Sequence, residues 1–248
     1  MAKEGRLTKR RFGFNLPLDA PLYSSLPIIY NNVEAISFTY ETDEDAALDI
    51  LPEGLELSSP ATAGLMFVKY PPPNGLGAYE EAILAIYCTW QGEPRIYLPY
   101  LIVNSDIPLA AGREIWGFPK KLGHVSFEKE GDMVWGAIER PAGNRICTGV
   151  MRTQAPVTLE TVEQQIPVIS LRVIPSPEEG AEPSLAELIE IRYDNDVSNE
   201  VWEGPGSVQF HSTSSIDPWH RLGVNRMLNA TYRRYHQELG HGRIVKSY

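Results

Sequence analysis

Short apolar runs, several of them alternating with polar residues, recur along the chain and predict β-strands. Turn-forming residues separate them, for example in the stretches 71–75 and 91–94, which contain proline or glycine. The pattern predicts a predominantly antiparallel sheet whose strands include Ala35–Tyr40, Gly64–Tyr70, Ala82–Trp90, Arg95–Val103, Val134–Glu139, Val168–Ile174 and Leu188–Tyr193.

Helical patterns are fewer. The first predicted helix is Asp43–Ile50, capped by Thr42 and stopped at Pro52. Two more are expected around Ala111–Gly117 and through Val224–Glu238. Strands and helices do not alternate regularly, which argues against a dinucleotide-binding α/β fold. The predicted class is therefore β-rich α+β.

Composition is that of an ordinary globular chain, with 43% hydrophobic and 22% charged residues among 248. We expect a single domain over residues 1–248, with residues 1–25 as an N-terminal extension. No run of 18 apolar residues occurs, and the first residues lack the apolar core of a secretory signal. The two cysteines, Cys88 and Cys147, are expected to be reduced and buried, and the protein to be cytoplasmic and not membrane-bound.

Acidic residues outnumber basic ones by 32 to 22, a formal charge of −10. Nucleic-acid binding requires a basic surface, so this charge argues against a nucleic-acid partner. A small anionic substrate would need a local cation to overcome the negative field. The acidic clusters 41–49, 178–190 and 194–203 are interpreted as solvated surfaces.

The stretch from Ala111 to His124 reads A-G-R-E-I-W-G-F-P-K-K-L-G-H and carries the most specific chemical signal. Lys120 and Lys121 lie among apolar and aromatic residues, and Pro119 helps to aim the first of them. Burial and a second ammonium both disfavour a charged amine, so a lysine pKa near ~10.4 is expected to fall here. A neutral lysine is a nucleophile that forms Schiff bases with ketones and aldehydes. Burial by Trp116 and Phe118 is expected to contribute more than repulsion by Lys121.

This stretch resembles the active-site segment of the acetoacetate decarboxylase superfamily. Three further blocks resemble the same family in the same order: T-D-E-D-A-A-L-D-I-L-P from Thr42, G-L-G-A-Y-E-E from Gly75, and W-E-G-P with V-Q-F from Trp202. The resemblance implies that Lys120 forms the Schiff base and that Lys121 flanks it. It also implies a large curved antiparallel sheet closing into a cone or barrel with flanking helices, and a homo-oligomer.

Further site residues follow from the resemblance. Glu81 matches a turn glutamate of the family that moves protons beside the Schiff base. Glu80 is the alternative if the motif is aligned one residue earlier. Tyr79 is a candidate hydrogen-bond donor in the same pocket. Arg113 is a candidate for binding a carboxylate, and its alternative role is an ion pair with Glu114. No metal is expected, because the spacing of His236 and His241 does not match a metal-binding motif. No cofactor is expected either, since Gly204-Pro205-Gly206 lacks the context of a nucleotide-binding loop.

The chain departs from the family at two positions. Val33 stands where the family's decarboxylases carry an arginine, and Met66 stands where they carry a second glutamate. Apolar residues at both positions together indicate a reshaped pocket rather than a broken ion pair.

Three functions fit these residues. The favoured one is an aldolase–dehydratase that condenses pyruvate, a 2-oxo acid, with an aldehyde. The second is a decarboxylase of acetoacetate or a related 3-oxo acid. The third is a non-catalytic domain that binds a small molecule, against which the intact Lys120, Lys121 and Glu81 argue.

Overall fold

Strands dominate the computed structural model, which describes residues 2–159 and 165–248. The strands are β1 Ile28–Glu41, β2 Glu56–Leu57, β3 Thr62–Tyr70, β4 Tyr79–Trp90, β5 Glu93–Val103, β6 Lys120–Leu122, β7 His124–Glu130, β8 Met133–Glu139, β9 Arg145–Arg152, β10 Ala155–Pro156, β11 Val168–Ile174, β12 Leu185–Ile191, β13 Tyr193–Glu203, β14 Gly206–Phe210, β15 Arg226–Leu239 and β16 Arg243–Ser247. The helices are α1 Glu44–Leu48 and α2 Asp106–Ala111, with a π-helical turn at Gly112–Trp116 and 3₁₀ turns at Lys9–Arg11 and Trp219–Leu222. The β-rich α+β class predicted from the sequence is confirmed.

The main sheet has the strand order β10-β13-β15-β1-β3-β4-β5-β11-β12-β16, with β2 paired to β4 and β6 paired to β5. Its pairings are antiparallel except along one edge of β5, where β6 and β11 both run parallel to it. The sheet is therefore mixed at β5 rather than antiparallel throughout. Within the described residues its two ends are not joined by strand pairing.

Two hydrophobic cores cover opposite faces of this sheet. The outer core contains Phe38, Phe67 and Leu84 of the main sheet, packed with Phe127 and Ile138 of a second sheet. That second sheet has the order β14-β9-β8-β7. The inner core contains the alternate residues of the same strands, for example Ala35, Ile83 and Leu101. Since successive side chains of a strand point to opposite faces, each central strand serves both cores.

The main sheet curves around the inner core. Ile189 of β12 and Leu239 of β15 belong to the same buried cluster, although five strands lie between β12 and β15 in the sheet. The Trp116 indole also donates a hydrogen bond to the Gly240 carbonyl, 2.9 Å away, immediately after β15. The main sheet thus curls around its inner face and forms an interior into which side chains project.

The helix predicted through Val224–Glu238 is wrong, because this segment forms β15. Its buried positions alternate, as at Tyr235, Gln237 and Leu239, which is the period of a strand. Pairing with β1 on one side and β13 on the other satisfies its backbone. Its many charged residues are accommodated by cross-strand pairs such as Arg233 with Asp196.

The other two predicted helices are partly correct. Helix α1 is shorter than expected, and its cap is Asp43, whose carboxylate accepts a hydrogen bond from the Ala46 amide at 2.7 Å. Thr42 instead donates its hydroxyl hydrogen bond to the Gly223 carbonyl. The helix expected around Ala111–Gly117 is the end of α2 followed by the π-helical turn. Within the described residues, no helix has both the length and the apolar character needed to cross a membrane.

Candidate active site

Lys120 opens strand β6 and projects into the inner core. Parallel pairing aligns Lys120 with Leu101 of β5, and Leu101 in turn is aligned with Ile83 of β4. These residues share one face of the sheet, so the lysine side chain joins the apolar interior. Only 5% of Lys120 is exposed to solvent.

Glu81 lies against this lysine. It stands two residues before Ile83 on β4 and therefore points to the same inner face. Its Oε2 is 2.7 Å from Lys120 Nζ, and both side chains are buried. Glu80 points the other way: it is half-buried, its backbone amide donates to the Asn104 side chain, and burial raises the pKa of its carboxyl. The glutamate beside the lysine is thus a strand residue, not a residue of the turn expected from the sequence.

Tyrosine hydroxyls surround the carboxylate. The Tyr70 hydroxyl donates to Glu81 Oε1 at 3.2 Å, and the Tyr70 and Tyr79 rings stack with centroids 4.5 Å apart. The Tyr79 hydroxyl lies 2.9 Å from the Tyr30 hydroxyl. Burial raises the pKa of Tyr70 and of Tyr79 well above the usual value. These hydroxyls consequently remain protonated and act as hydrogen-bond donors at neutral pH.

Aromatic rings form the rest of the lysine's surroundings. Lys120 Nζ lies 5.6 Å from the centre of the Tyr79 ring and 5.7 Å from that of Phe118. Trp116 stacks on Phe118 with centroids 5.7 Å apart. Trp116, Phe118 and Tyr79 are all buried. The segment that carries Lys120 therefore also supplies much of the apolar wall around it.

The π-helical turn Gly112–Trp116 shapes this wall. A Cβ on Gly112 would lie 2.8 Å from Lys120 Cδ, so glycine at this position leaves room for the lysine chain where it now lies. Gly117 ends the turn with a φ of +72°, in the left-handed region that glycine adopts readily. Arg172 donates to the carbonyls of Glu114 and Ile115, and Ser170 to that of Trp116. Strand β11 thus holds the end of the turn, and π-helical turns are frequent at functional sites.

The Lys121 side chain points away from the Lys120–Glu81 pair. It follows Lys120 in strand β6, so its side chain points to the opposite face, where Nζ forms an ion pair with Asp217 Oδ1 at 2.9 Å. Arg140 binds the second oxygen of the same carboxylate at 3.1 Å. The ammonium of Lys121 is therefore satisfied by Asp217 and lies away from the interior that holds Lys120.

Arg113 is exposed and does not form the expected pair with Glu114 among the described ion pairs. Its guanidinium donates to the Lys120 backbone carbonyl at 3.1 Å. Glu114 accepts a hydrogen bond from the Tyr23 hydroxyl at 2.5 Å. In this geometry Arg113 supports the backbone of the lysine from outside, and a role in binding a carboxylate stays a prediction.

Val33 and Met66 both lie on the inner side of the sheet. Val33 pairs with Tyr235 and is fully buried. Met66 pairs with Ser37 and with Ile83, two positions from the pairing of Val68 with Glu81. Their apolar side chains therefore belong to the same interior as the Lys120–Glu81 pair, and a role in binding substrate stays a prediction.

Some residues of the site escaped sequence reasoning. Tyr70 could have been found, because it pairs with Tyr79 across the hairpin between β3 and β4. Arg172 and Asp217 carry no motif, and only the folded chain brings them to the lysine segment.

Comparison with known proteins agrees with this geometry. The family model for acetoacetate decarboxylase (ADC) matches residues 15–248. Acetoacetate decarboxylase 1 of Bradyrhizobium diazoefficiens is 29% identical over 243 residues, covering 96% of this chain and 95% of the relative. Acetoacetate decarboxylase 2 of Mesorhizobium japonicum is 30% identical over 244 residues, covering 97% and 92%.

Solved structures resemble the fold over nearly its whole length. The acetoacetate decarboxylase of Legionella pneumophila superposes with a TM-score of 0.86 at 26% identity, covering 100% of this chain and 99% of that one. The enduracididine biosynthesis enzyme MppR complexed with pyruvate superposes with a TM-score of 0.83, covering 96% and 99%, and its 20% identity supports the fold alone. This chain therefore belongs to the acetoacetate decarboxylase family and is a lyase of the decarboxylase or aldolase type.

Proposed function

We propose that the protein is a Schiff-base aldolase–dehydratase that condenses a small 2-oxo acid such as pyruvate with an aldehyde. The observation that carries this proposal is the buried contact of 2.7 Å between Lys120 Nζ and Glu81 Oε2, set in an interior where Val33 and Met66 are apolar. The contact supplies a nucleophile and a proton acceptor side by side. The apolar residues leave that interior without the two charges that the family's decarboxylases carry.

The first half of the reaction forms the nucleophilic carbon. Glu81 takes a proton from the Lys120 ammonium, and the neutral amine attacks the ketone carbon of the oxo acid. Glu81 then returns this proton to the hydroxyl of the adduct, which leaves as water and gives the iminium. The iminium draws electrons from the neighbouring methyl carbon, and Glu81 is again a free base. Glu81, held by the Tyr70 hydroxyl, is placed to remove a proton from that carbon and leave an enamine.

The second half joins the two substrates. The enamine carbon attacks the aldehyde carbon, a new carbon–carbon bond forms, and the aldehyde oxygen takes a proton. Loss of that hydroxyl with a proton from the former methyl carbon releases a second water and gives a conjugated iminium. One water then hydrolyses the iminium and returns Lys120, so the net reaction joins the two carbonyl compounds and releases one water.

Decarboxylation is the second candidate, favoured by the names of the relatives above. The iminium of a 3-oxo acid on Lys120 would lose carbon dioxide, and the electrons of the broken bond would remain in an enamine on the same lysine. The two reactions differ in how the substrate carboxylate is held. The family's decarboxylases are expected to hold it with the arginine and the glutamate that stand where this chain has Val33 and Met66.

The two reactions are separated by measuring both products. Wild-type protein should form a conjugated absorbance with pyruvate and benzaldehyde, and should release carbon dioxide from acetoacetate weakly or not at all. Borohydride reduction with pyruvate should add mass to Lys120. Release of carbon dioxide at the typical enzyme rate of about 10 s⁻¹, without condensation, would establish the decarboxylase instead.

A further inference from the structure

A cavity of about 230 Å³ lies in the interior, and its described lining residues include neither Lys120 nor Glu81. Its wall is mostly apolar and includes Ala35, Met66, Ile83, Ala85, Leu98 and Val168. Tyr70 also lines it, and the Tyr70 hydroxyl donates to Glu81. The cavity and the carboxylate thus share one side chain, which places the cavity next to the reacting groups.

The cavity is close to electrically neutral. Arg233 is the one charged residue among the described residues that line it. Its guanidinium is held by the Asp196 carboxylate and by the Ser198 hydroxyl, and it lies over the Tyr235 ring at 4.3 Å. An ion paired in this way has little attraction left for a second anion. The cavity therefore favours an uncharged occupant over a second oxo acid.

One polar side chain in the wall lacks a partner. Gln237 is 4% exposed and lines the cavity, and its amide makes no hydrogen bond to another described residue. The amide is not among the fully buried side-chain atoms without a partner, so water or a ligand inside the cavity can reach it and form hydrogen bonds with it. Ser37 and Thr231, which pair across β1 and β15, add hydroxyls to the same wall. The apolar cavity thus presents a small polar region at β15 and β1.

We propose that this cavity binds the second substrate as a neutral aldehyde about the size of one ring, and that Gln237 determines specificity by hydrogen-bonding a hydroxyl or ring heteroatom on it. This inference rests on the proposed function, because it assigns the aldehyde of that reaction. The volume lies below the ~300–1,000 Å³ of drug-sized sites, which limits the occupant to a small molecule. A site built to hydrogen-bond its substrate discriminates against an analogue that lacks the partner group.

The first test compares benzaldehyde with 3- and 4-hydroxybenzaldehyde, each condensed with pyruvate. Wild-type kcat/KM should be about 3–10-fold higher for at least one hydroxylated aldehyde than for benzaldehyde. Gln237→Met, which keeps the length of the side chain but removes the amide, should bring that ratio close to one. Gln209→Met is the matched control, since Gln209 is exposed on β14 and the ratio should keep its wild-type value.

The second test fills the cavity. Ser37→Leu should lower kcat/KM for benzaldehyde at least tenfold more than for acetaldehyde, because only the ring needs the space. Ser207→Leu is the control, because Ser207 is exposed on β14. This variant should leave the ratio of kcat/KM for benzaldehyde to kcat/KM for acetaldehyde at its wild-type value. Equal losses for the two aldehydes in Ser37→Leu, or an unchanged ratio in Gln237→Met, would show that the aldehyde binds elsewhere.

Failure of this inference is distinguishable from failure of the proposed function. Wild-type protein could trap pyruvate at Lys120 and condense it with aldehydes while Gln237→Met and Ser37→Leu leave the ratios between aldehydes unchanged. In that case only the assignment of the cavity is wrong. If wild-type protein traps no oxo acid or forms no condensation product, the proposed function falls and the assignment falls with it.

Discussion

Two adjacent lysines acquire opposite surroundings because a strand directs neighbouring side chains to opposite faces. Lys120 lies buried against Glu81, whereas Lys121 lies 2.9 Å from Asp217 and is 39% exposed at its side chain. The motif alone presents them as a pair. The short strand β6 separates their roles.

Substitution of each lysine tests this separation. Lys120→Ala should abolish the mass added by borohydride reduction in the presence of pyruvate, because the nucleophile is gone. Lys121→Ala should retain the adduct at Lys120, because its ammonium points away from the interior. Mass spectrometry of the digested protein locates the adduct. An adduct at Lys121 in wild-type protein would contradict the assignment.

Glu81 and Glu80 offer a matched pair for testing proton transfer. Glu81→Gln keeps the shape of the side chain but removes the base, so turnover should fall by ~10²–10⁴. Glu80→Gln should change turnover little, since Glu80 faces away from Lys120. Turnover is followed by the conjugated absorbance of the product. The reverse pattern would move the catalytic role to Glu80.

Sequence reasoning came close to this site because its residues lie in short motifs. Lys120, Phe118 and Trp116 lie within five positions of each other, and Tyr79 is two residues from Glu81. The contact of Glu81 with Lys120 depends on strands β4, β5 and β6 lying side by side, which no local motif specifies. Arg172 and Asp217 were not foreseen for the same reason.

Among the elements, the π-helical turn Gly112–Trp116 fixes the path of the Lys120 side chain. The lysine chain passes directly over Gly112, where a Cβ would lie 2.8 Å from Lys120 Cδ. Since the clash falls on a flexible side chain, the backbone can keep its course while the lysine moves. A methyl group at this point should therefore affect chemistry more than folding.

Gly112→Ala should slow imine formation at least tenfold, while the midpoint of thermal unfolding changes little. The rate of borohydride trapping with pyruvate and a thermal melt measure the two quantities. Gly223→Ala is the control, because a Cβ there meets its nearest neighbour at an ordinary 3.5 Å. A large loss of thermal stability with normal trapping would assign Gly112 a purely structural role.

Strand β15 shows why a segment of this kind was misread. Residues 224–238 contain three arginines and six apolar residues among fifteen, and the polar majority favours a solvated helix over a buried strand. In the folded chain these polar groups pair across strands, as Arg234 does with Glu200. Tertiary pairing outweighs local preference here. By contrast, β11 was predicted with its observed bounds because five of its seven residues are apolar and four of these are β-branched.

At the scale of the molecule, the interior holds an unusual number of ionisable hydroxyls. Burial is the largest cause of the raised pKa of Tyr30, Tyr70, Tyr79, Tyr193 and Tyr235. Each has a native pKa above the value near 10 of an exposed tyrosine. The native chain therefore keeps protons that the unfolded chain releases. Their stabilising contribution is complete below pH 10 and is lost as the pH rises above it.

Alkaline unfolding should accordingly be steep. Between pH 10 and the native pKa values, each of these tyrosines lowers the free energy of unfolding by up to ~1.4 kcal/mol per pH unit. Tyrosinate absorbance from the buried rings should appear together with loss of the circular dichroism of the sheet. Titration of all the tyrosines near pH 10, with the sheet signal intact, would contradict this prediction.

The two cores on opposite faces of the main sheet also bear on how such proteins diverge. Residues that hold the sheets together, such as Phe38 and Phe67, face outward, while Val33 and Met66 face the interior that holds Lys120 and Glu81. An exchange on the inner face leaves the packing between the sheets untouched. Descendants of one ancestor can therefore trade one electrophile for another by a few inner substitutions, and the scaffold that carries the nucleophile is inherited unchanged.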